Sequence, residues 1–232
     1  MSYSHREFPP QPIRLNDLYQ TCQGEGCQTG VAMVMIRLQG CGVGCPFCDT
    51  KETWALAAAH KVATLGEALG TNAKWCEETP AEIAAYARHL FPGPRWALVS
   101  GGEPADQPLF SLVRELHARR FRVALETSGT ALGHVGAGFD WVCVSPKIGM
   151  SGGKALLPEA LAAADEIKHV VCTGADIEAL DRLLLEMPLR DDVQICLQPV
   201  SGQGKATDLC TRTAIDRGWR LSLQTHKLVG IR

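Results

Sequence analysis

Short apolar runs of strand length recur along the chain and alternate with helix-like segments. The runs are rich in β-branched residues, and each ends in a polar or glycine- and proline-containing stretch, which is typical of a strand that runs into a loop. They lie at residues 31–38, 96–100, 121–127, 141–145, 166–171 and 193–199. Helical patterns lie between several of them, at residues 107–120, 158–165, 177–187 and 205–218. This alternation predicts an α/β fold with about six mainly parallel strands, arranged as a barrel or as an open layer.

The stretch from Lys51 to Pro94 interrupts this alternation. Residues 55–60 and 80–90 have helical patterns, and the piece between them is less regular. We therefore predict that residues 52–95 form a helical insertion after the loop that follows the first strand. The chain has 232 residues, a length that allows one domain with a full hydrophobic core, so we interpret residues 1–232 as a single domain.

Polar segments directly follow four of the predicted strands. They are Gly101–Pro104, Glu126–Gly129, Ser145–Lys147 and Gln198–Ser201. The carboxyl ends of parallel strands lie on one face of an α/β fold, and ligands bind at that face. We therefore expect these four segments to form one site.

The charge balance and the apolar content disfavour two classes of partner. The formal net charge is −2, which provides no basic field of the kind that nucleic-acid-binding proteins use. No apolar run approaches the roughly 18 residues that a membrane-spanning helix needs. The first twelve residues are polar and proline-rich and lack the apolar core of a signal peptide. We therefore expect a cytoplasmic protein without a nucleic-acid or membrane partner.

Three of the ten cysteines, Cys41, Cys45 and Cys48, lie within eight residues, whereas the other seven are scattered. The cytosol keeps thiols reduced, so this clustering points to a metal site rather than to disulfides. Three thiolates on one tight loop can hold three corners of an iron–sulfur cubane and leave the fourth iron open to a small molecule. The alternative is a structural zinc site, which would need a fourth ligand from a distant residue such as Cys76 or His226.

A second candidate motif, Ser100-Gly101-Gly102-Glu103-Pro104, follows the next long apolar run. Its two glycines allow backbone to approach a ligand closely, and its carboxylate can accept a hydrogen bond from an ammonium group. By itself such a segment is more often a turn. After a CxxxCxxC loop, at the end of the next strand, it is much more specific.

The CxxxCxxC spacing with an aromatic residue before the last cysteine, together with the GGEP segment, resembles the radical S-adenosylmethionine (radical SAM) superfamily. Further segments, in order along the chain, resemble the 7-carboxy-7-deazaguanine synthase family within it, in the subgroup with a regular CxxxCxxC loop. They are Gln23–Gly26, Arg37, Asp49–Lys51, Glu126–Gly129, Ser145–Lys147, Gln198–Pro199 and Gln224–Lys227. The resemblance runs from about residue 14 to the C-terminus and is weakest at residues 52–95.

This resemblance implies a shortened partial (β/α) barrel of the radical SAM type, a [4Fe-4S] cluster, S-adenosylmethionine as cosubstrate, and Mg²⁺. It implies the conversion of 6-carboxy-5,6,7,8-tetrahydropterin to 7-carboxy-7-deazaguanine with loss of ammonia, in queuosine and 7-deazapurine biosynthesis. The implied reaction begins with one-electron cleavage of the cosubstrate to a 5′-deoxyadenosyl radical, which abstracts hydrogen from the pterin carbon next to the carboxylate. A homodimer and an electron donor such as flavodoxin or ferredoxin are implied as well.

The resemblance also implies a role for each matching residue. Cys41, Cys45 and Cys48 bind the cluster that generates the radical, and Thr50 places its hydroxyl on Mg²⁺. The cosubstrate pocket is lined by Phe47, Cys48, Asp49, Gly101, Gly102, Glu103, Glu126, Ser145, Pro146, Lys147 and Gln198. The substrate is held by Cys22, Gln23, Gly24, Glu25, Arg37, Ser100 and His226. Among these, Arg37 and His226 bind the substrate carboxylate, and residues 22–25 read the guanine-like edge of the pterin.

Several of these residues have simpler explanations. Arg37 could pair with a nearby acid, Lys147 could be a solvated loop lysine, and His226 could lie on the surface. Thr50 could be ordinary turn material. Cys22 stands where the family pattern predicts a larger apolar residue, although the implied contact there is through backbone.

Two rival functions remain open on the sequence. One is an activating enzyme that makes a glycyl radical on a partner protein, and the other is a non-catalytic zinc-binding module. Gln23–Gly26 and Arg37 favour a small substrate over a protein-docking surface, and metal content would separate an iron–sulfur protein from a zinc protein. Cys22 and Cys27 bracket Gln23–Gly26, which suggests a second metal site, but no further closely spaced pair accompanies them.

Overall fold

The computed structural model describes residues 11–71, 73–187 and 189–231. The first ten residues, on which most of the signal-peptide argument rests, lie outside this part of the chain. Within it, nine strands form one sheet. The strands are β1 (Ile13–Cys22), β2 (Ala32–Leu38), β3 (Cys76–Glu78), β4 (Trp96–Gly101), β5 (Arg122–Thr127), β6 (Trp141–Val144), β7 (Glu166–Val171), β8 (Gln194–Pro199) and β9 (Arg220–Leu221). The α-helices are α1 (Leu65–Ala68), α2 (Pro80–Leu90), α3 (Phe110–Ala118), α4 (Pro158–Ala162), α5 (Gly174–Glu186), α6 (Gly204–Arg217) and α7 (Thr225–Val229).

The strands are ordered β3-β1-β2-β4-β5-β6-β7-β8-β9 across the sheet, and the edge strands β3 and β9 do not pair with each other in the part of the chain that is described. Neighbours from β2 to β9 are parallel. Strand β1 pairs antiparallel with both β2 and β3. The sheet is therefore an open, mainly parallel α/β layer, as expected for a partial barrel.

The six predicted strands are confirmed as β2 and β4 to β8, and three further strands were not predicted. Strand β1 carries Asn16 and Asp17, which interrupt its apolar pattern although both are buried. Their side chains bind groups that are distant in sequence, since Asn16 Nδ2 donates to Gln39 Oε1 at 3.0 Å and Asp17 Oδ1 accepts from Gly70 N at 3.1 Å. Strands β3 and β9 have only three and two residues, too few to show a period.

Side chains of the parallel strands alternate between two faces. One face carries aliphatic residues such as Val34, Leu125 and Ile167, which pack with α2, α3 and α5 into the main core. On the other, inner face, Met33 and Leu98 belong to a smaller apolar cluster made of strand residues. Toward the carboxyl ends of the strands this inner face becomes polar, with Arg37, Ser100, Glu126, Lys168 and Gln198.

The region of residues 52–95 is not purely helical. Residues 80–90 form α2, as predicted, and Thr79 caps this helix by accepting a hydrogen bond from Glu82 N at 3.2 Å. Strand β3 from the same region pairs with β1 and so extends the edge of the sheet. No helix in the described ranges has the length and apolar character needed to cross a membrane.

The prediction of a helix at residues 55–60 is wrong. Only Ala58–His60 form a single 3₁₀ turn. In an α-helix Ala55 O would accept from the amide of Ala59, but here it accepts from Gln39 Nε2 at 2.7 Å. The alanine-rich segment lies against the cysteine loop, and this tertiary contact has overridden its helix propensity.

Candidate active site

Three adjoining cavities lie at the carboxyl ends of the parallel strands, where the site was predicted. The thiol cavity is lined by Cys41, Cys45, Cys48 and Ser100–Glu103, among others. The central cavity is lined by residues that include Phe47, Asp49, Ser145, Lys147, Lys168 and Gln198. The N-terminal cavity is lined by residues that include Cys22–Glu25, Arg37, Asp49, Thr50, Ser100 and His226. Glu126 lines all three, so the cavities are neighbours.

The three predicted cluster ligands face one space, the thiol cavity. Burial raises the pKa of the Cys41 and Cys45 thiols, so a cation such as a metal is needed to hold them as thiolates. Cys48 Sγ accepts hydrogen bonds from Thr50 N at 3.4 Å and from Trp54 Nε1 at 3.3 Å. Donors of this kind tune a metal-bound sulfur. The donor set fits three corners of an iron–sulfur cubane, and Trp54 is a contributor that no motif had indicated.

Gly101 and Gly102 bring the end of β4 against the start of the cysteine loop. Gly101 has a φ of +117°, and a Cβ there would lie 2.4 Å from Leu38 N. A Cβ on Gly102 would lie 2.3 Å from Gly40 O. The two glycines therefore allow the backbone of β4 to approach the backbone of the cysteine loop closely, and this contact holds the loop in place.

Glu103 is buried, and four donors surround its carboxylate. Oε1 accepts from Ala105 N at 2.9 Å and from Thr127 Oγ1 at 2.5 Å. Oε2 accepts from Ser128 N at 2.7 Å and also from Ser128 Oγ. A carboxylate offers about four acceptor sites, so none remains for the ammonium group of a ligand. These contacts make Glu103 a link between the β4 and β5 loops, and we expect a ligand at this motif to meet backbone.

Lys147 belongs to the central cavity and is not a solvated loop lysine. Its Nζ donates to Ser145 O at 3.0 Å and lies 6.0 Å from the centre of the Phe47 ring. Burial lowers the pKa of its ammonium group. Gln198 is also buried there and accepts from Ser222 Oγ at 2.9 Å. Pro146, in contrast, is buried and lines none of the three cavities.

Lys168 on β7 was not predicted as a site residue, yet it joins two predicted ones. Its side chain is 2% exposed, and Nζ lies 2.6 Å from Glu25 Oε2 and 2.6 Å from Glu126 Oε2. Burial acts to raise the pKa of Glu25, but the Lys168 ammonium outweighs it and lowers that pKa to about 2. Burial raises the pKa of Glu126. The available signal was a lysine in the middle of the predicted strand Glu166–Val171, whose side chains are mostly buried.

The seven residues assigned to the substrate all line the N-terminal cavity, together with Thr50. Gln23 Nε2 donates to Glu126 Oε1 at 2.9 Å, which ties β1 to β5. Arg37 Nη2 donates to the Tyr19 hydroxyl, and its guanidinium lies 5.7 Å from the centre of the Tyr19 ring. Across the described ranges Arg37 has no carboxylate partner, so the alternative of an ion pair with a nearby acid is not supported.

The C-terminal segment closes this cavity. Thr225 N donates to Gly24 O at 2.9 Å. His226 packs so closely on Gly24 that a Cβ there would lie 2.1 Å from His226 Nδ1. His226 is therefore a half-buried cavity residue rather than a surface residue.

Gln224 and Lys227 tie the same segment to the cysteine loop. Gln224 Nε2 donates to Glu25 Oε1 at 2.7 Å and to Asp49 Oδ2 at 3.0 Å. Lys227 Nζ lies 2.9 Å from Asp49 Oδ2. The carboxylate of Asp49, a residue assigned to the cosubstrate, is thus already bound by the chain. Neither Gln224 nor Lys227 had been assigned a role from the sequence.

Known proteins similar to this chain identify its family. The Radical SAM superfamily matches residues 35–149. A 7-carboxy-7-deazaguanine synthase from Escherichia coli (strain K12) is 42% identical over 219 residues, which cover 94% of this chain and 98% of that protein. The chain belongs to the 7-carboxy-7-deazaguanine synthase family. Family members of the same name from Buchnera aphidicola and Bordetella pertussis are 33% and 35% identical, and each alignment covers 94% of this chain and 98% of the relative.

A solved structure agrees with this membership of the 7-carboxy-7-deazaguanine synthase family. The crystal structure of QueE from Escherichia coli superimposes with a TM-score of 0.83 at 40% identity, and covers 91% of this chain and 93% of that one. The predicted family, the partial-barrel fold and the radical SAM cofactors, an iron–sulfur cluster and S-adenosylmethionine, are confirmed. Neither a glycyl-radical activating enzyme nor a zinc-binding module is the family to which the chain belongs.

Proposed function

We propose that this chain catalyses the reaction implied for its family, the radical ring contraction of 6-carboxy-5,6,7,8-tetrahydropterin to 7-carboxy-7-deazaguanine with loss of ammonia. The observation that supports this most is the position of Glu126 on the wall of all three cavities. A substrate in the N-terminal cavity lies beside the central cavity, which in turn lies beside the thiols. Such proximity lets a reactive group formed in one cavity reach a molecule held in the next.

Cys41, Cys45 and Cys48 would hold the cluster in the thiol cavity. When bound, the cluster and S-adenosylmethionine supply a one-electron route to a carbon radical, which no side chain of the protein can provide. The central cavity, with a volume of about 400 Å³, is large enough for a cofactor-sized ligand. Lys147 lacks a carboxylate partner among the described residues, and we assign its ammonium group to the cosubstrate carboxylate.

Arg37 and His226 would bind the carboxylate of the substrate. The described hydrogen-bond partner of Arg37 is a neutral hydroxyl, so its charge is available to an anion, and a guanidinium suits a bidentate carboxylate. On the other side of the N-terminal cavity, the low pKa of Glu25 keeps this side chain ionised. An ionised carboxylate accepts hydrogen bonds, which suits the N–H groups on the guanine-like edge of the pterin.

Glu126 would accept hydrogen bonds from the ribose hydroxyls of the cosubstrate. Its Oε1 is held by Gln23 and its Oε2 by Lys168, so the side chain is oriented from both sides. Because Lys168 also holds Glu25, the cosubstrate-facing and substrate-facing carboxylates are positioned by one ammonium group.

Thr50 would be the protein ligand of Mg²⁺. It lines the N-terminal cavity together with Arg37, close to where the substrate carboxylate would lie. A hydroxyl is a neutral and weak ligand for a hard cation, so the metal would bind well only when the carboxylate joins it. Magnesium would then neutralise the carboxylate during the rearrangement.

We also propose that the protein acts in the cytoplasm as a homodimer and receives electrons from a flavodoxin or ferredoxin. Exposed apolar side chains near the C-terminus, which a second copy could cover, support the dimer. They are Leu223, Leu228, Val229 and Ile231. Light scattering would give the mass of the assembly, with Leu228→Lys expected to shift it to the monomer.

The proposed reaction can be tested after anaerobic reconstitution, by incubation with 6-carboxytetrahydropterin, S-adenosylmethionine, a reductant and Mg²⁺. We expect the ultraviolet absorption of a deazapurine, the mass of 7-carboxy-7-deazaguanine, and release of ammonia. Cys45→Ala, treated identically, is the negative control. Formation of 5′-deoxyadenosine without any deazapurine would contradict the proposed substrate while leaving the radical SAM assignment intact.

A further inference from the structure

Two sulfurs and one carboxylate converge on the inner face of the sheet, outside the residues assigned to the reaction. Cys27 lies in the 3₁₀ turn Gly26–Gln28, Glu166 on β7 and Cys196 on β8. One ligand atom from each of the three lies within 4.8 Å of the others. Glu166 precedes Lys168 by two residues on the same face, so this cluster lies one layer of side chains below the active site.

The two sulfurs are within hydrogen-bond distance of each other, and their separation is close to that of a metal-bound pair. Cys27 Sγ and Cys196 Sγ are 3.6 Å apart. A disulfide would require about 2.05 Å. Two thiolates on a tetrahedral zinc ion, with Zn–S bonds of about 2.3 Å, would be about 3.8 Å apart. The observed spacing needs little movement to accept such an ion.

Glu166 offers the third ligand. It is 1% exposed, and its Oε2 accepts from Cys27 N at 3.1 Å and from Trp141 Nε1 at 3.1 Å. Its Oε1 is buried and has no partner with hydrogen-bond geometry in the described ranges, although the Cys196 thiol lies close enough for this carboxylate to raise the pKa of the thiol. An unpaired oxygen on a buried carboxylate is costly unless a donor or a cation satisfies it.

We propose that Cys27, Glu166 and Cys196 bind one thiophilic divalent cation, Zn²⁺ in first place, with a water molecule as the fourth ligand. Thiolate sulfurs and carboxylate oxygens are both zinc ligands, three protein ligands with one water is the arrangement of open zinc sites, and soft thiolates disfavour Mg²⁺. On binding, both thiols lose their protons to solvent and the ion takes their place. Cys27 is half-buried, which leaves the ion a path from solvent.

The ion would tie the segment that carries Gln23 to Glu25 onto the sheet. The turn that contains Cys27 follows Glu25 directly, and it is held by hydrogen bonds from Gly26 N to Ser222 Oγ at 2.8 Å and from Cys27 N to Glu166 Oε2 at 3.1 Å. Metal binding should therefore raise thermal stability, independently of the proposed reaction. The inference does not rest on the identity of the substrate.

The first test removes the competing thiols of the cluster loop. In the full-length Cys41→Ala/Cys45→Ala/Cys48→Ala protein, anaerobic titration with Zn²⁺ against a chromophoric chelator should reveal one tight site and a raised melting temperature. Adding Cys27→Ser or Glu166→Gln should weaken zinc binding by roughly tenfold or more, by comparison with losses at known zinc sites. Cys210→Ser, which alters a buried cysteine on α6, should change neither the zinc affinity nor the rise in melting temperature that zinc causes.

The second test uses the reconstituted holoenzyme, whose cluster thiols are occupied by iron. Zinc-edge X-ray absorption should show two sulfur neighbours at about 2.3 Å and oxygen at about 2.0 Å, and this signal should disappear in Cys27→Ser. Circular dichroism should be recorded for both Cys27→Ser and Glu166→Gln. If one variant does not fold, the other still tests the site. Zinc affinity that is unchanged in both folded variants, or a Cys27–Cys196 disulfide that forms while no zinc binds, would overturn the proposal.

Discussion

The thiol cavity and the N-terminal cavity adjoin, yet the chain assembles them differently. The three thiols come from eight consecutive residues, and backbone contacts of Gly101 and Gly102 hold their loop. The N-terminal cavity is closed by a hydrogen bond between Thr225 and Gly24, which are 201 residues apart. The first lies within residues 35–149, the segment that matches the Radical SAM superfamily. The second depends on tertiary structure, and substrate choice should reside in it.

The two cavities also differ in what stabilises them. The thiol cavity needs a bound metal, because burial alone raises the pKa of two of its thiols. The N-terminal cavity is held by ion pairs within the protein, in which Lys168 joins two residues of its wall, Glu25 and Glu126. Substitutions should therefore separate loss of the cluster from loss of stability and of substrate affinity.

The largest effect is expected from the thiol cavity. Cys45→Ala should abolish cluster assembly and turnover, because the loop supplies only three thiolates and each holds one corner of the cluster. Iron and sulfide content, visible absorption and product formation measure this. Cys76→Ala and Cys210→Ala, both buried on other elements, should retain the cluster. A scattered cysteine as essential as Cys45 would show that the open-iron arrangement is wrong.

The next largest effect is expected from removing the ammonium group of Lys168, which lies between Glu25 and Glu126. Lys168→Met leaves the largely buried carboxylates of Glu25 and Glu126 without a cationic partner, which should cost about 3–5 kcal/mol in the free energy of unfolding. Lys61→Met removes an exposed ion pair with Glu77 and should change the free energy of unfolding by less than about 1 kcal/mol. Chemical denaturation of the cluster-free proteins measures both. Equal effects of the two substitutions would contradict the importance of the buried group.

The same variant has a pH signature. In the wild-type protein the pKa of Glu25 is lowered from 4.5 to about 2, so its stabilising contribution is present above pH 4.5 and is lost as the pH falls toward 2. In Lys168→Met the ammonium that lowers both carboxyl pKa values is gone while burial, which raises them, remains, so the variant should become less stable as the pH rises. The difference in the free energy of unfolding between the wild-type protein and Lys168→Met should therefore become smaller as the pH falls from about 7 to about 4.

Arg37→Ala and His226→Ala should weaken substrate binding more than cosubstrate binding. Losing a charge-assisted contact to a carboxylate costs about 1.5–3 kcal/mol, which is roughly a 10- to 150-fold loss of affinity. Arg122→Ala is the matched control, since Arg122 also lies over an aromatic ring, that of Trp96, but outside the three cavities. Parallel losses of affinity for both ligands would assign Arg37 and His226 to maintenance of the fold.

Glu103→Gln distinguishes a ligand contact from a structural contact beside the thiol cavity. The amide NH₂ would face donors that now bind the carboxylate, so the free energy of unfolding should fall by about 1–3 kcal/mol. Cosubstrate affinity of the folded protein should change little, because the carboxylate has no acceptor site left. Glu115→Gln on α3 is the control. A large loss of cosubstrate affinity at unchanged stability would restore the ligand role.

The smallest expected effect concerns Thr50. Thr50→Val should reduce the stimulation of turnover by Mg²⁺, whereas Thr50→Ser should keep most of it. Cluster content should be unchanged in both. By linkage, magnesium should raise substrate affinity by the factor by which substrate raises magnesium affinity. Turnover measured against magnesium concentration checks this, and full stimulation in the valine variant would remove Thr50 from the metal site.

Local patterns in the sequence determined much of the fold and half of the site. The six parallel strands are buried on both faces, so each appears as an apolar run that a reader can recognise without its neighbours. The three cysteines and the two glycines of Gly101–Gly102 are equally legible, because a cluster loop and a close backbone approach both require particular residues at short spacings.

Tertiary structure alone decided the rest. Edge strand β3 and the loop at residues 55–60 take their conformation from partners elsewhere in the chain. Lys168, which unites Glu25 with Glu126, and Cys27, which meets Cys196, gain their roles from residues that are distant in sequence and adjacent in the sheet. The physical reason is that a buried charge or thiol acquires its chemistry from the groups packed around it, and packing across a parallel sheet has no short-range signature in the sequence.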